Sequence, residues 1–408
     1  MQSMQRIKII FKYLLDHPWF IVLFFSLFSL AFRLYHLANI KDLVFDEVYF
    51  VDFAKKYLQG AEFFDIHPPL GKLIIATGIK IFGDTQFGWR IMQVLFGTAL
   101  IPLGYLTARE LGGKIVGLLT VLILSFDGML LVYSRLGLLD ILLSFFIILS
   151  FKFFLKYANS KKLAFLIFAG LTLGLAASIK YIGWLLVLVF IIIAIAKKIP
   201  FKKYYPLCYL IFLIIIPTVI YLGFFLFNFP SKNLIADVIN WHRQSLNYNL
   251  YLTEGHPYGS KWWTWFLLLR PIWLYFKDVD GKYIGVVGLG NPLAWWSSIV
   301  VVPLLIYHTI KKDKTALIIL SAFLVFLVPW AFVKRVIFIY HAIPSFIFLS
   351  FAIAYFLEKL LSDKMGKVIV TIYFAILIAF FVFFLPIWIG LPLESSKFYL
   401  RTWLKGWI

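Results

Sequence analysis

The chain has 408 residues, of which 62% are apolar, 20% aromatic and only 14% charged. Soluble globular proteins contain roughly 45–50% apolar and about 25% charged residues, so this composition excludes a water-soluble fold. The formal net charge of +20 would suit nucleic acid, but no soluble domain is left to carry such a surface, and we expect no nucleic-acid partner.

Long apolar stretches dominate the sequence. A helix needs about 20 mostly apolar residues to cross a bilayer, because no backbone group can stay unpaired in hydrocarbon. Eleven stretches fit, and they are 19–38, 88–108, 115–132, 136–155, 163–179, 181–196, 205–228, 292–310, 316–333, 336–357 and 368–389. The fifth and sixth are separated only by Ser178 to Lys180, so a count of ten is the alternative. The stretches predict an all-α integral membrane protein forming one polytopic domain over 1–408, with about 11 transmembrane helices.

Basic residues are unevenly divided between the two sets of connecting segments. Stretches 1–12, 152–162 and 197–203 all carry clusters of Lys or Arg, and alternation puts them on one side. The positive-inside rule makes that side cytoplasmic. The N-terminus is then cytoplasmic, and an odd number of spans puts the C-terminus outside. The two long loops, 39–87 and 229–290, fall on the extracytoplasmic side, where we expect the chemistry.

The first outer loop contains two adjacent carboxylates, Asp46 and Glu47, among apolar and aromatic neighbours. Poor hydration should raise a carboxyl pKa toward the range that suits a general base. The alternative is a helix start, with Asp46 as the N-cap and Glu47 in the first turn. Further on, Pro68 and Pro69 hold His67 at a rigid corner, where it could orient a carboxylate or a phosphate or be an ordinary turn residue.

Several cations lie at outward ends of the predicted spans. They are Arg90, Arg135, Lys180, Lys334 and Arg335. A lipid-linked phosphate at that depth would need such cations, although structural pairing or snorkelling explains any single one equally well. Arg135 is predicted to form a structural pair with Asp140, or else with Asp127.

The second outer loop combines aromatic rings with polar groups. Its candidates for binding the donor sugar or the acceptor are His256, Tyr258, Trp262 and Trp263, and Arg270 follows closely. Aromatic faces with adjacent polar groups bind sugar rings, but an interfacial aromatic belt has the same composition. His341, near the cationic level, is a further candidate for this binding or else a packed core residue.

In order and spacing, these motifs resemble those of the polyprenyl (dolichyl) phosphate mannose–protein O-mannosyltransferases, which are GT-C membrane glycosyltransferases. The resemblance runs over most of the chain. It rests on Phe45 to Phe50, His67 to Lys72, Arg90, Arg135 with Leu138 to Asp140, Lys180 to Gly183, His256 to Tyr258, Ser260 to Trp263, Leu269 to Trp273, Gly290 to Pro292 with Trp295 and Trp296, and Arg335 with Phe338, Tyr340 and His341. Tyr181 stands where Trp is usual in the family.

The resemblance implies a GT-C fold and an inverting transfer of mannose from polyprenyl phosphate to Ser or Thr hydroxyls of a translocating protein, at the secretion translocon. Asp46 would be the base and Glu47 would position the acceptor. Arg90, Lys180, Arg270 and Arg335 are the candidates to hold the donor phosphate in place of a metal, so we expect no cofactor and metal independence. Loop 229–290 is too short for the MIR domain of eukaryotic members, which indicates the prokaryotic type and a plasma membrane.

Two other functions remain as alternatives. A GT-C transferase moving a polyprenyl-linked sugar to a lipid or glycan would use the same chemistry with different acceptor contacts. A secondary transporter is the alternative from another class, and the absence of internal repeats and the crowding of polar residues on one face argue against it.

Overall fold

The computed structural model describes residues 13, 15–202, 205–228, 233–251 and 254–408. Most of the basic N-terminal stretch, Lys203 and two short pieces of the second long loop lie outside the described residues. The described chain is mostly helical.

Seven helices in the described chain are long and apolar enough to cross a membrane. They are Gln86–Gly112 (α4), Asp140–Ser160 (α7), Tyr205–Phe225 (α10), Pro292–Ile310 (α12), Lys314–Phe332 (α13), Ile339–Leu360 (α14) and Lys364–Ile389 (α15). Shorter apolar helices occupy the other four predicted spans, and they are Pro18–Leu34 (α1), Lys114–Ser125 (α5), Leu163–Ile179 (α8) and Tyr181–Ala196 (α9, opening with a 3-10 turn). The exact number of crossings and the sides of the two termini stay predictions.

The helix ends fall into two sets, as alternation requires. At one end of the bundle, Thr315 at the start of α13 donates to the Leu111 carbonyl of α4 (3.3 Å), and Asn159 of α7 donates to Glu110 (3.3 Å). At the other end, Arg135 donates to the Tyr35 carbonyl directly after α1, and the Lys180 ammonium lies 5.5 Å from the centre of the Tyr340 ring in α14. The predicted outward ends therefore share one face of the bundle.

The third predicted span is divided at Asp127 into α5 and a six-residue helix, Gly128–Tyr133 (α6). The buried Asp127 carboxylate accepts hydrogen bonds from the backbone N–H groups of Leu130 (2.9 Å) and Asn291 (3.0 Å). It also accepts the indole N–H of Trp295 (2.9 Å). Three donors offset the cost of burying this carboxylate, so Asp127 caps α6 and ties it to the start of α12. The alternative pairing of Arg135 with Asp127 does not form, because the Arg135 guanidinium binds carbonyls at the end of α1 instead.

The described parts of both long loops contain helices or strands. The first contains helices Glu47–Gln59 (α2) and Leu70–Phe82 (α3), close to the two amphipathic segments that its sequence pattern indicates. The second contains helix Leu234–Tyr251 (α11), a 3-10 turn at Trp262–Leu267, and strands Ile272–Val279 (β1) and Lys282–Gly288 (β2). Strand Leu393–Glu394 (β3) and helix Ser395–Tyr399 (α16) follow α15.

A small antiparallel sheet with the order β1-β2-β3 corrects the all-α prediction. Val279 pairs with Lys282 across a two-residue turn, Asp280-Gly281, in which both residues have positive φ (53° and 76°). An Asp-Gly pair between alternating apolar residues is a strong hairpin signal, because this turn twists in the same sense as the strands. The hairpin is local to the second outer loop and leaves the helical bundle unchanged.

Gly128 provides a test of the packing around α6. A Cβ atom at this position would lie 2.0 Å from the Trp388 ring of α15, which is fully buried. Overpacking of this kind costs about 1–3 kcal/mol. We therefore expect Gly128→Ala to lower the apparent melting temperature of the purified protein by several degrees.

Gly223→Ala is the matched control for this variant. Gly223 lies in α10 with open space around its Cα, so the added methyl group meets nothing within 4 Å. Ala is also the better helix former, by about 0.5–1 kcal/mol. Equal melting temperatures for the two variants would contradict the packing described here.

Candidate active site

Asp46 stands at the start of α2 with its carboxylate free of the helix. Asp46 occupies the N-cap position and Glu47 the first turn, as the alternative predicts, but the Asp46 side chain accepts no capping hydrogen bond. The preceding Phe45 has a left-handed φ of 52°, a conformation that costs a bulky residue energy and tends to occur at functional sites. Instead of capping, the Asp46 carboxylate receives a long hydrogen bond from the Tyr340 hydroxyl (3.4 Å).

The surroundings of Asp46 shift its ionisation. Burial raises the pKa of the Asp46 carboxyl to about 6, and the nearby charges of Lys180 and Arg335 oppose that shift. Desolvation disfavours the charged form, while the two cations favour it. A carboxyl group with this pKa is ionised at neutral pH and basic enough to take up a proton, which suits a general base.

Glu47, the next residue, is fully buried and has a different set of partners. It forms a two-bond ion pair with Arg90, at 2.8 and 2.7 Å. It also accepts the backbone N–H of Gly137 (2.6 Å) and that of Val44 (3.1 Å). With zero exposure, Glu47 cannot reach an acceptor directly, so any effect it has on the acceptor passes through its neighbours.

The structure contradicts the predicted phosphate-binding role of Arg90. Its guanidinium has five N–H donors, and two of them bind Glu47. The other three bind the carbonyl oxygens of Leu37, Ile40 and Asp42 at 2.8–3.2 Å. No N–H remains for a phosphate, because the chain leaving α1 wraps around this side chain.

The predicted Arg135–Asp140 pair is also wrong. Arg135 donates to the carbonyls of Phe32, Arg33 and Tyr35 at 2.7–2.9 Å. These carbonyls lie at the C-terminal end of α1, where a helix leaves its last carbonyls without partners. Asp140 instead accepts a hydrogen bond from the Lys180 ammonium at 2.8 Å, and both side chains are largely buried.

Lys180 and Arg335 are the predicted cations that stay available at the site. Lys180 binds only Asp140 among the described residues, which leaves two of its N–H donors free, and its ammonium lies 5.5 Å from the centre of the Tyr340 ring. Arg335 is half-buried and makes one described hydrogen bond, to the Val336 carbonyl (3.2 Å). Both influence the ionisation of Asp46, so both lie within electrostatic range of it.

A cavity of about 580 Å³ opens beside Arg335. Its wall includes the cations Lys261 and Lys334 together with the aromatic rings of Trp262, Trp263 and Trp330. Two of the predicted sugar or acceptor residues, Trp262 and Trp263, therefore lie next to a predicted phosphate-binding residue. Cations beside indole rings suit a ligand that joins a phosphate to a sugar or to a hydrocarbon.

Arg270 holds the second outer loop and does not face the cavity. It donates to the carbonyls of Pro257 (3.0 Å), Gly406 (2.8 Å) and Ile408 (2.7 Å), and its guanidinium covers the Tyr258 ring at 5.5 Å. These contacts use Nε and Nη1 of Arg270 and give it a structural role, while its predicted phosphate-binding role stays a prediction. They also place Tyr258 at the contact between the second outer loop and the C-terminal segment, which Arg270 holds together.

The three predicted histidines have three different environments. His256 is exposed, and its ring lies 6.0 Å from that of Phe45, beside Asp46. His341 is buried between Tyr340 (4.4 Å) and Trp330 (4.0 Å), with Nδ1 2.9 Å from the Phe338 carbonyl, which makes it a packed residue that supports Tyr340. That packing fits the alternative of a packed core residue, and a direct contact of His341 with a ligand stays a prediction.

His67 occupies a corner that is held from two sides. The Lys72 ammonium binds the carbonyls of His67 and Pro68 and forms a buried ion pair with Asp65 at 2.5 Å. Trp241 of α11 donates to the Asp65 carbonyl from the other side (2.6 Å). Burial and the nearby cations hold the pKa of His67 well below its ordinary value, so the ring is neutral.

Sequence reasoning missed the Asp65–Lys72 pair and the role of Asp140 as partner of Lys180. The spacing of Asp65 and Lys72 around two prolines was a usable signal, whereas Trp241 and Asp65 are 176 residues apart and only the fold brings them together. Within the described residues, no three His, Cys, Asp or Glu side chains are grouped so that they could hold a metal ion.

Sequence families match almost the whole chain. Residues 23–86 and 78–232 match the family described as dolichyl-phosphate-mannose-protein mannosyltransferase, and residues 234–407 match the C-terminal four-transmembrane region of protein O-mannosyltransferase. The polyprenol-phosphate-mannose–protein mannosyltransferase of Mycobacterium tuberculosis is 25% identical, over 95% of this chain and 92% of that protein. The corresponding protein of Corynebacterium glutamicum is 26% identical, over 84% of this chain and 81% of that protein.

Solved structures share the fold. The Saccharomyces cerevisiae protein O-mannosyltransferase Pmt1-Pmt2 complex bound to the sugar donor aligns with a TM-score of 0.83 at 18% identity, over 95% of this chain and 92% of that one. ArnT from Cupriavidus metallidurans bound to undecaprenyl phosphate aligns with a TM-score of 0.63 at 16% identity, over 88% and 63% of the two chains. The helical bundle described above therefore has the GT-C fold.

The Glu47–Arg90 pair generates a prediction about stability. Removing one member of a buried ion pair leaves the other charge uncompensated and costs about 3–5 kcal/mol. We expect Arg90→Met to lower the apparent melting temperature sharply, and the double variant Glu47→Gln/Arg90→Met to recover part of the loss. Differential scanning fluorimetry in detergent measures both.

Glu394→Gln is the control, because the exposed pair of Glu394 with Lys397 (3.0 Å) is worth about 0–1 kcal/mol at most. A melting temperature for Arg90→Met equal to that of Glu394→Gln would contradict the structural role of the buried pair.

Proposed function

This chain belongs to the dolichyl-phosphate-mannose-protein mannosyltransferase family of membrane enzymes, and from that premise we propose that it transfers mannose from a polyprenyl phosphate carrier to Ser or Thr hydroxyls of secreted or membrane proteins. The observation that supports this function most directly is the Asp46 carboxylate. It makes no capping hydrogen bond to α2, and the pKa of its carboxyl group is raised to about 6. The charges of Lys180 and Arg335 act on it electrostatically. A base beside cations is what a displacement at a glycosyl phosphate requires.

The reaction is a single displacement with inversion at the anomeric carbon. The acceptor hydroxyl oxygen attacks C1 of mannose and its proton passes to Asp46, while the C1–O bond to phosphate breaks and the electron pair leaves with the phosphate oxygen. One carboxylate is enough, because the departing polyprenyl phosphate is stable as an anion and needs no acid.

Lys180 and Arg335 supply the charge that balances the leaving phosphate. Positive groups aimed at charge that develops in the transition state lower the barrier most where water is excluded. Lys180 is suited to this because its contact with Asp140 fixes the ammonium and leaves two N–H donors free. We therefore propose that no metal ion takes part and that Trp262 and Trp263 contact the mannose or the acceptor from the neighbouring cavity.

Charge distribution supports an extracytoplasmic site. The helix ends opposite the site carry lysines such as Lys152, Lys156 and Lys359, whose ammonium groups lie over aromatic rings at 4.2–4.7 Å. By the positive-inside rule those ends are cytoplasmic, so Asp46 faces outward. We propose a plasma-membrane location, a cytoplasmic N-terminus and an outer C-terminus, and acceptors that arrive unfolded from the secretion translocon.

The Asp46 base assignment makes a sharp prediction. Asp46→Asn keeps the size of the side chain but cannot accept the proton, so we expect transfer to fall by about 10²–10⁴-fold. In the unmodified enzyme, kcat/KM should be level above pH 7 and fall as the pH drops through about 6, because the carboxyl then becomes protonated. Initial rates with a Ser/Thr peptide measure both effects.

Asp52→Asn is the matched control. Asp52 lies on the same helix, but it is exposed and pairs with Lys56 (2.8 Å) away from the site, so its replacement should leave transfer unchanged. Full activity in Asp46→Asn would remove Asp46 from the mechanism.

A reconstitution assay tests the function as a whole. Purified enzyme receives labelled polyprenyl phosphate mannose and a Ser/Thr-rich peptide, with and without a chelator. We expect label in the peptide, unaffected by the chelator and of inverted anomeric configuration, because protein cations balance the phosphate charge. The same peptide with Ala at every Ser and Thr is the control acceptor. Label found only in lipid or glycan would favour transfer to those acceptors and contradict the proposal.

A further inference from the structure

Helix α11 in the second outer loop carries an exposed apolar stripe. The stripe consists of Ile235, Ile239, Leu246 and Leu250, whose spacing of four, seven and four residues puts them on one side of the helix. Each of these large aliphatic side chains is 48–64% exposed. Contiguous exposed apolar surface marks a site of interaction, so the stripe needs a partner.

The other two sides of α11 have different surroundings. Val238, Trp241 and Ser245 form the side that packs on the protein, and they are at most 4% exposed. The third side is polar and exposed, and its residues are Asn240, Arg243, Gln244 and Asn247. With 3.6 residues per turn, the centre of the apolar stripe lies about 100–120° from each of these sides. The helix therefore has three distinct faces.

Contacts with α10 place α11 at the level where a membrane-spanning helix ends. Trp241 packs on Phe225 with ring centres 4.9 Å apart, and His242 is hydrogen-bonded to the Tyr221 hydroxyl at 3.0 Å. Phe225 is the last residue of α10, and only 17% of the most apolar part of α10 is buried in the protein. Because the rest of that surface suits lipid alone, the last turn of α10 lies near the surface of the bilayer.

A second set of contacts lays α11 across the ends of the bundle helices. Trp241 donates to the Asp65 carbonyl (2.6 Å) and Ser245 donates to the Ile66 carbonyl (3.0 Å). The same loop reaches the end of α8, because a Cβ at Gly71 would lie 3.3 Å from Ile179. Helices α8 and α10 pack against each other. With one side held on their ends, α11 has two sides left to divide between lipid and water.

An amphipathic helix with these faces suits the surface of a bilayer. We propose that α11 lies along the membrane, with its apolar stripe in the leaflet on the side of the site. Arg243 borders the stripe, where a guanidinium can reach lipid phosphates. This inference goes beyond the proposed function, since it involves neither donor nor acceptor. The helix that rests on lipid also holds the corner that carries His67, so contact with the bilayer supports the site.

A fluorescent probe on the full-length protein in vesicles tests this placement. Cys208 is the only cysteine, so Cys208→Ala gives a background for single labels. A nitrobenzoxadiazole probe is attached at Leu246→Cys in vesicles of phosphatidylcholine and phosphatidylglycerol. We expect blue-shifted emission that doxyl-labelled lipid quenches, because the stripe lies in lipid. Quenching by aqueous iodide should be several-fold weaker than for the same probe at Gln244→Cys.

Gln244→Cys is the matched control, because Gln244 lies on the polar, exposed side of the same helix. Two further positions test the helical period. Ile239→Cys should behave like Leu246→Cys, and Asn240→Cys should behave like Gln244→Cys. All four side chains are exposed, so the melting temperatures should equal that of the Cys208→Ala protein.

Two results would overturn the proposal. Equal quenching by iodide at positions 246 and 244 would place the stripe in water. Protection of position 246 from both iodide and doxyl-labelled lipid would place it against protein, such as a second copy of this chain. Neither measurement involves transfer of mannose, so the proposed function fails separately, by the absence of label in the Ser/Thr peptide.

Discussion

The buried pair between Glu47 and Arg90 is the contact on which the site depends. Through it, α4 is joined to the loop that leaves α1, to the first turn of α2 and to the Gly137 turn before α7. A charge pair buried in a low-dielectric bundle offsets the desolvation of its charges only if its geometry is good and the remaining hydrogen bonds are made. Here every N–H of the Arg90 guanidinium donates a hydrogen bond. The rigid frame that results sets the direction of the neighbouring Asp46 carboxylate.

Two adjacent carboxyl groups thus have opposite tasks because their surroundings differ. Glu47 is saturated with donors and stays inside, whereas Asp46 has one long hydrogen bond and is partly accessible. The cations near the site differ in the same way, by how many of their N–H donors other groups of the protein use. Arg90, Arg135 and Arg270 bind backbone carbonyls that helices and loops leave unpaired, whereas Lys180 and Arg335 keep N–H donors that can meet a ligand.

The apolar helices and the choice of Asp46 as the candidate base could be predicted from the sequence, because hydropathy and local context depend on neighbouring residues. The sequence could not predict partners. Asp140 lies near Arg135 in the chain, but α7 begins at Asp140 and carries it toward Lys180, forty residues further on. The hairpin had a local signal, because Asp280-Gly281 is a turn pair between residues of alternating polarity. The long apolar helices dominate the sequence and led to the all-α prediction in spite of that signal.

The side chain of Tyr340 links two charged groups of the site. Its hydroxyl reaches Asp46 while its ring covers the ammonium of Lys180, which Asp140 restrains on the other side. Tyr340 therefore contacts both the proposed base and a proposed phosphate-binding cation, so replacing its side chain would disturb the two groups together.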